Sequence, residues 1–219
     1  MGPRTRRLGA VPGLIVLDVD STFIRDEVVD LLAEHAGAGE QVASITDRAM
    51  RGELDFAESL TERVELLAGL PASVIDEVRS QVRLSPGAIE MTRAAHARGT
   101  VVALVSGGFV QVIEPIATDL GITDVTANTL EIVDGTLTGR VVGRIVDRAV
   151  KAATLRRLAS DYGVPLSETV AVGDGANDIE MIRAAGIGIG YHPKGALIPF
   201  VDHVIDEGGL EQVLELTES

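Results

Sequence analysis

A chain of 219 residues with 46% hydrophobic side chains is long enough for one large domain, or a domain with a smaller companion, built around a sizeable core. Aromatic residues make up only 3%, so that core has to be Leu, Val, Ile and Ala. A formal net charge of −14 argues against a nucleic-acid partner and gives no reason to expect an anionic membrane, and the absence of cysteine excludes disulfides and thiolate chemistry.

Residues 1–12 carry a basic stretch and read as a loose tail. The apolar run that follows is broken by Pro12-Gly13, lacks a small-residue cleavage site and is far too short to span a membrane; a cytoplasmic protein is expected. "LIVLD" (14–18) is a continuous apolar run, as in a strand covered on both faces. Residues 26–84 then read as helical. Val28, Leu31 and Leu32 share one face of a helix that ends at Gly37. Phe56, Leu60, Val64 and Leu67 recur along another, and Pro71 suits the first turn of a third. No strand pattern interrupts this block, so it is expected to be a small helical subdomain inserted after strand one, between core segments 13–25 and 85–219.

The α/β alternation resumes with a helix at 87–98, a strand at 100–108, a helix at 110–120 and a hairpin over 125–143. Asp134-Gly135 marks the hairpin turn. A helix at 150–162, a strand from 169 into "GDGAND", a helix at 178–185 and a short strand at 186–190 complete the predicted series. The fold class is therefore α/β: a doubly wound, Rossmann-like parallel sheet with an inserted helical subdomain and a β-hairpin flap.

Three apolar strands end in polar residues: Asp18 and Asp20, Ser106-Gly107-Gly108, and Asp174. Ligands of open parallel sheets bind beyond the carboxyl ends of the strands. Residues i and i+2 of a strand share a face, so Asp18 and Asp20 repel unless a cation or a shared proton holds them. Mg²⁺ takes oxygen ligands, and Asp18 and Asp174 can supply them. Ser106 and the N–H groups of Gly107 and Gly108 can cradle phosphate oxygens. One aspartate can act as nucleophile and its neighbour as general acid and base. Of 19 basic Lys and Arg residues only Lys151 and Lys194 are lysines, leaving 17 arginines. Lysine is a compact point charge suited to a crowded phosphoryl group, and Lys151 can reach the same sheet edge. Lys194 reads equally well as a solvated loop charge.

In this order "LDVDST", "VSGG", Lys151 and "VGDGANDIEM" resemble the four motifs of the haloacid dehalogenase superfamily. Together with "DSTFIRDEVVD", "ITDRAMRGELDFAESLTERVELLAGLP" and "ANTLEIVDGTLTG" they are most similar to its phosphoserine phosphatase group, over about residues 14–190. The resemblance implies a helical cap and Mg²⁺-dependent hydrolysis of O-phospho-L-serine, the last step of L-serine biosynthesis, through an aspartyl-phosphate. It implies Asp18 as nucleophile and Asp20 as general acid/base. Mg²⁺ would bind the carboxylates of Asp18 and Asp174 and the main-chain carbonyl of Asp20. Ser106, Gly107 and Lys151 would hold the phosphoryl group, with Gly108 supporting. Asp178 would orient Lys151 or a metal-bound water, and Asn177 would contact substrate. Glu27 and Arg63 would pair with the amino and carboxylate groups of the serine moiety, and Met50 and Phe56 would help close the pocket.

Residue physics alone does not single out Arg63 among 17 arginines. Leu17 and Val19 replace the aromatics usual beside the aspartates, and Pro193-Lys194-Gly195 replaces the usual Ala-Lys-Pro, leaving that turn open. Some relatives carry an N-terminal regulatory domain, and control through one is not expected here. Another small phosphomonoester, or transfer to an alcohol acceptor, is the nearest alternative. A catalytically silent phospho-ligand-binding module is the alternative of a different class, and loss of either aspartate would have favoured it.

Overall fold

The four residues Leu14–Leu17 form β1, and all four are fully buried. A strand with apolar side chains on both faces has to sit inside a sheet covered on both sides, and that is its position. In this computed structural model, which describes residues 11–51 and 53–218 apart from the side chains of Met50 and Glu218, β1 lies between two parallel neighbours. These are β2 (Val101–Phe109) and, further along the chain, β5 (Thr169–Gly173). With β3 (Asp124–Val133), β4 (Thr136–Val142), β6 (Ile187–Tyr191) and β7 (His203–Ile205) the sheet has the order β4-β3-β2-β1-β5-β6-β7. Only β4 runs antiparallel, paired to β3 through the Asp134-Gly135 turn, where both residues have positive φ.

Alternation sorts the core. Ile15 and Leu17 join a cluster with α5 (Ala88–Ala97), α6 (Val110–Asp119) and α9 (Gln212–Glu218). Leu14 and Val16 join one with α7 (Arg148–Asp161) and α8 (Ile179–Ala184). The doubly wound α/β class expected from the sequence is the observed one. The expected loose tail, 1–12, lies outside the described residues except for Val11 and Pro12, which have no regular structure. Among the described residues no helix is long and apolar enough to cross a membrane.

Between β1 and α5 lie α1 (Val28–His35), α2 (Gly39–Met50), α3 (Phe56–Glu65) and α4 (Val74–Gln81). Gly37, with φ 65°, ends α1 as expected. A reciprocal capping box starts α3: Glu58 N–H donates to Asp55 Oδ1 at 2.8 Å, and Asp55 N–H donates to Glu58 Oε2 at 2.9 Å. The segment leaves and re-enters the core side by side. Ile24 bridges Leu84, Arg25 N–H donates to the Arg83 carbonyl at 2.9 Å, and Ser85 N–H donates to the Phe23 carbonyl at 3.0 Å.

Two expectations fail. Pro71 does not open a helix: α4 begins at Val74, and Pro71 forms an antiparallel bridge with Thr136. The reason is competition for backbone partners. Gly69 N–H donates to the Leu137 carbonyl, Leu137 N–H to the Leu70 carbonyl and Ala72 N–H to the Gly135 carbonyl, at 2.8–2.9 Å. The hairpin edge takes those groups before a helix can. The chain also continues past the expected last strand with β7 and α9; three residues are too few to show alternation.

Gly139 makes this junction possible. Its φ is 80°, and a Cβ there would lie 2.9 Å from Ala68 Cβ and 3.1 Å from the Glu65 carbonyl. Gly139→Ala is expected to destabilise by about 1–3 kcal/mol, a melting shift of roughly 3–10 °C for a chain this size. Gly135→Asn is expected to be tolerated, because nothing lies within 4 Å of that position and Asn adopts positive φ. Equal melting temperatures for Gly139→Ala and wild type would refute the tight junction.

Candidate active site

The ladder of β1 ends with Asp18 N–H donating to the Val172 carbonyl at 2.9 Å. The chain then makes a single wide turn over Val19–Phe23, closed by Ile24 N–H donating to the Val19 carbonyl at 3.0 Å, with Ser21 at φ 57°. Asp18 and Asp20 are thus not related by strand alternation, as the sequence suggested, because β1 stops at Leu17. The turn aims Asp20 separately. Its Oδ1 accepts from Val28 N–H at 2.8 Å, at the start of α1, and its Oδ2 accepts from the Ser106 hydroxyl at 2.7 Å. A carboxylate suits a helix N-terminus, where backbone N–H groups are unpaired.

Ser106 is fully buried in β2, and its Oγ also accepts from Gly108 N–H at 2.7 Å. The glycines permit close approach. A Cβ on Gly108 would lie 2.7 Å from Asp20 Oδ2, and one on Gly107 would lie 2.7 Å from the Phe56 ring at the start of α3. Asn128, almost fully buried, donates to the Gly107 carbonyl and accepts from Val146 N–H, both at 2.8 Å. It fixes the orientation of the Ser106–Gly108 end of β2.

Lys151 sits one turn into α7, whose start is capped by Asp147 Oδ1 accepting from Val150 N–H at 2.8 Å. Its side chain is 0% exposed. Nζ lies 2.6 Å from Asp18 Oδ1 and 2.7 Å from Asp178 Oδ1. Asp178 Oδ2 accepts from Asp174 N–H at 3.2 Å and Gly175 N–H at 3.1 Å. The carboxylates of Asp18, Asp174 and Asp178 are all buried, with one oxygen of each within 4.8 Å of the others. Lys194 reaches in from a loop, its Nζ 2.9 Å from Asp174 Oδ2.

This crowding sets the electrostatics. Burial pushes the Asp18 carboxyl well above its usual range; Asp178, Asp174 and Asp20 add to the shift and Lys151 opposes it. Burial also raises Asp174, with Lys194 opposing. For Lys151, burial works against the charge, but Asp178 and Asp18 outweigh it and raise the pKa. Three buried carboxylates thus exceed the charge of the one buried ammonium. A divalent cation with oxygen ligands fits such a set, offsetting the burial and the neighbouring negative charge that push Asp18 and Asp174 toward protonation. The cluster can hold a metal ion.

The helical segment supplies the opposite wall. Glu27 Oε1 accepts from the Ser21 hydroxyl at 2.7 Å. Burial, then the charge of Asp20, pushes Glu27 up to about 7, against the Ser21 hydrogen bond. Arg63 Nε donates to the Ser59 carbonyl at 3.2 Å. Burial lowers its pKa while Glu27, Asp30 and Asp20 oppose.

Residues 15–183 match the family model of the haloacid dehalogenase-like hydrolases. The chain belongs to that family. Within these hydrolases it is 55% identical to the phosphoserine phosphatase SerB2 of Mycobacterium tuberculosis over 213 residues, 97% of this chain but 51% of that protein. It is 47% identical to the phosphoserine phosphatase of Streptococcus thermophilus, over 96% of this chain and 98% of that one. It therefore spans about half of some relatives and nearly all of others. A solved structure described as a phospho-aspartyl intermediate analogue of phosphoserine phosphatase superposes with a TM-score of 0.89 at 38% identity, over 95% of this chain and 100% of that one.

In this haloacid dehalogenase-like hydrolase, Asp18, Asp20, Ser106, Gly107, Gly108, Lys151, Asp174 and Asp178 gather at the carboxyl ends of β1, β2 and β5. Phe56 lies over Gly107, and half-buried Asn177 folds over Gly175. The Met50 side chain lies outside the described residues. Asp20 turns its carboxylate to Ser106 and α1, while Asp178 completes the acidic trio. Sequence reasoning missed Asn128, whose only signal is a polar residue inside an otherwise alternating strand, and it left Lys194 undecided.

Removing the buried ammonium isolates its carboxylates. Lys151→Met is expected to cost about 3–5 kcal/mol near neutral pH in chelator. Lys151 opposes the burial that already raises the Asp18 carboxyl, so without it that pKa rises further, the folded variant binds more protons than the folded wild type, and the deficit shrinks as pH falls from about 8 to 5. Urea melts of both proteins at several pH values measure it. A small deficit that does not change with pH would count against the network.

Proposed function

We propose that this chain is a Mg²⁺-dependent phosphoserine phosphatase, converting O-phospho-L-serine and water to L-serine and phosphate, the closing reaction of L-serine biosynthesis. The core would be residues 13–25 and 85–219, with 26–84 as a cap; the adjacent crossings at Ile24 and Leu84 support that division. One observation carries the reading. Asp18 is held by Lys151, and beside Asp20 of the same turn the helical segment brings a buried carboxylate, Glu27, and a guanidinium, Arg63, whose charges act on each other and on Asp20 and Asp30. That set matches an ammonium, a carboxylate and a phosphate on one small molecule, and the relatives' names agree.

Asp18 Oδ1 is occupied by Lys151 and Val19 N–H, so Oδ2 is the nucleophile. It bonds to phosphorus as the phosphorus–serine oxygen bond breaks, and protonated Asp20 gives its proton to the leaving oxygen. Asp20 then takes a proton from the water that attacks phosphorus, and the Asp18–phosphorus bond breaks. An ammonium has three donors; Lys151 spends two on Asp18 and Asp178 and keeps the third for a phosphoryl oxygen. Ser106, whose one hydroxyl hydrogen has to leave Asp20 to do so, and the Gly107 N–H hold the others, while Gly108 N–H keeps its bond to Ser106 Oγ. Asp18, Asp174 and the Asp20 carbonyl would hold Mg²⁺, which supplies charge neutralisation for the phosphoryl group when bound. Glu27 pairs with the substrate ammonium, Arg63 grips its carboxylate, Phe56 closes the pocket over Gly107, and Asn177 contacts the substrate.

Phosphate release from phosphoserine, phosphothreonine and phosphoethanolamine, with Mg²⁺ or chelator, tests this. Phosphoserine is expected to exceed phosphoethanolamine by about ten- to a hundred-fold in kcat/KM, the worth of one charge-assisted hydrogen bond. Asp18→Asn is expected to be folded and inactive, with no covalent phosphate on the protein. Near-normal turnover by Asp18→Asn would sink the mechanism, and equal rates on the two substrates would sink the specificity.

The raised Glu27 pKa gives a pH dependence. Below about 7 the carboxyl is protonated and loses its pairing with the substrate ammonium, so KM for phosphoserine is expected to rise as pH falls from 8 to about 6. Glu27→Gln is expected to start with a high KM and keep only the pH dependence of the substrate's own phosphate, which titrates near 6. Identical KM profiles for the two proteins would remove Glu27 from the amine site.

A further inference from the structure

Only two lysines occur in this chain, and both reach the acidic trio. Lys151 is fully buried between Asp18 and Asp178. Lys194 comes from the solvent side: its side chain is 63% exposed, yet its Nζ lies 2.9 Å from Oδ2 of Asp174, which is 6% exposed. The main chain is docked as well. Lys194 N–H donates to the Asp174 carbonyl at 2.7 Å, and the Lys194 carbonyl accepts from Leu197 N–H at 2.9 Å.

The turn that carries Lys194 is fixed to the sheet. His192 N–H donates to the Ile205 carbonyl at 2.8 Å. Pro193 packs so closely on β6 that a Cβ on Gly190 would lie 2.9 Å from its ring. The backbone of Lys194 is therefore anchored, while its four-carbon stem can carry the ammonium on or off the carboxylate.

Three carboxylates against two ammonium groups leave the trio with one net negative charge. Without Lys194 the excess is two, which a divalent ion cancels. We propose that Lys194 is a positioning residue that holds Asp174 and competes with the divalent cation for its carboxylate, so that the substrate-free site binds metal weakly. The inference rests on the reading of Asp18 and Asp174 as metal ligands. It makes Lys194 a stand-in charge that yields when the ion arrives.

Titration calorimetry of the substrate-free protein with MgCl₂ tests it on wild type, Lys194→Gln and Lys194→Arg. Lys194→Gln is expected to bind Mg²⁺ about three- to tenfold more tightly than wild type, the scale of a partly exposed charge acting on a dication. Lys194→Arg keeps the charge and is expected to bind no more tightly than wild type. Lys194→Ala provides a second neutral variant and is expected to follow Lys194→Gln. Neutral variants that bind Mg²⁺ equally or more weakly than wild type would overturn the competition while leaving the metal site standing. Absence of Mg²⁺ binding in the wild type and in all the variants alike would overturn both.

Discussion

The arrangement depends on one buried ammonium. Lys151 has no exposed side-chain surface and cannot stay charged there without counter-charges, because an isolated buried lysine sheds its proton. It obtains them from two elements that are far apart in sequence, the end of β1 and the turn after β5, while its own position is set by the capped start of α7. Three segments are thus tied at the point where the sheet opens to the site. The two hydrophobic clusters that cover the sheet bring those segments within reach, and the ion network ties them to one another.

Side chains left out matter as much as those present. A methyl group on Gly173 would lie 2.5 Å from the Asp178 carboxyl carbon, and one on Gly108 would lie 2.7 Å from Asp20 Oδ2. Each glycine marks a place where a carboxylate lies against the backbone and finds N–H donors there, or close to a hydroxyl. The result is a set of acids whose positions are constrained from several sides, in surroundings dry enough to perturb their protonation.

Much of this was legible in the sequence because the responsible signals are local. "LIVLD", "VVALVSGG" and "TVAVGD" are uninterrupted apolar runs, and Asp134-Gly135 can hardly be anything but a hairpin turn. That three such strands end in Asp, Ser-Gly-Gly and Asp needs only the rule that parallel strands share an edge. What was not legible depends on partners distant in the chain. Pro71 looks like a helix opener until the hairpin claims the carbonyls and amides beside it. Asp20 looks like a strand residue until the turn after Leu17 delivers it to Ser106 and α1. Asn128 carries no local mark of its hold on Gly107, and Lys194 looks like a solvated loop charge because its side chain is mostly exposed, although its ammonium meets Asp174.

The backbone junction between residues 69–72 and the β3–β4 hairpin bears on motion. A helical insertion joined to its sheet only at Ile24 and Leu84 would swing as a door on one hinge. Here three amide hydrogen bonds, two of which make up the Pro71–Thr136 bridge, fasten the far side as well. Widening the mouth above Asp18 therefore means either breaking those bonds or bending β3 and β4 together with the helices. The first is a local unfolding step with its own free energy; the second turns the flap into part of the moving body. In both cases an edge hairpin, remote from any reacting atom, is mechanically coupled to the helices that stand over the site.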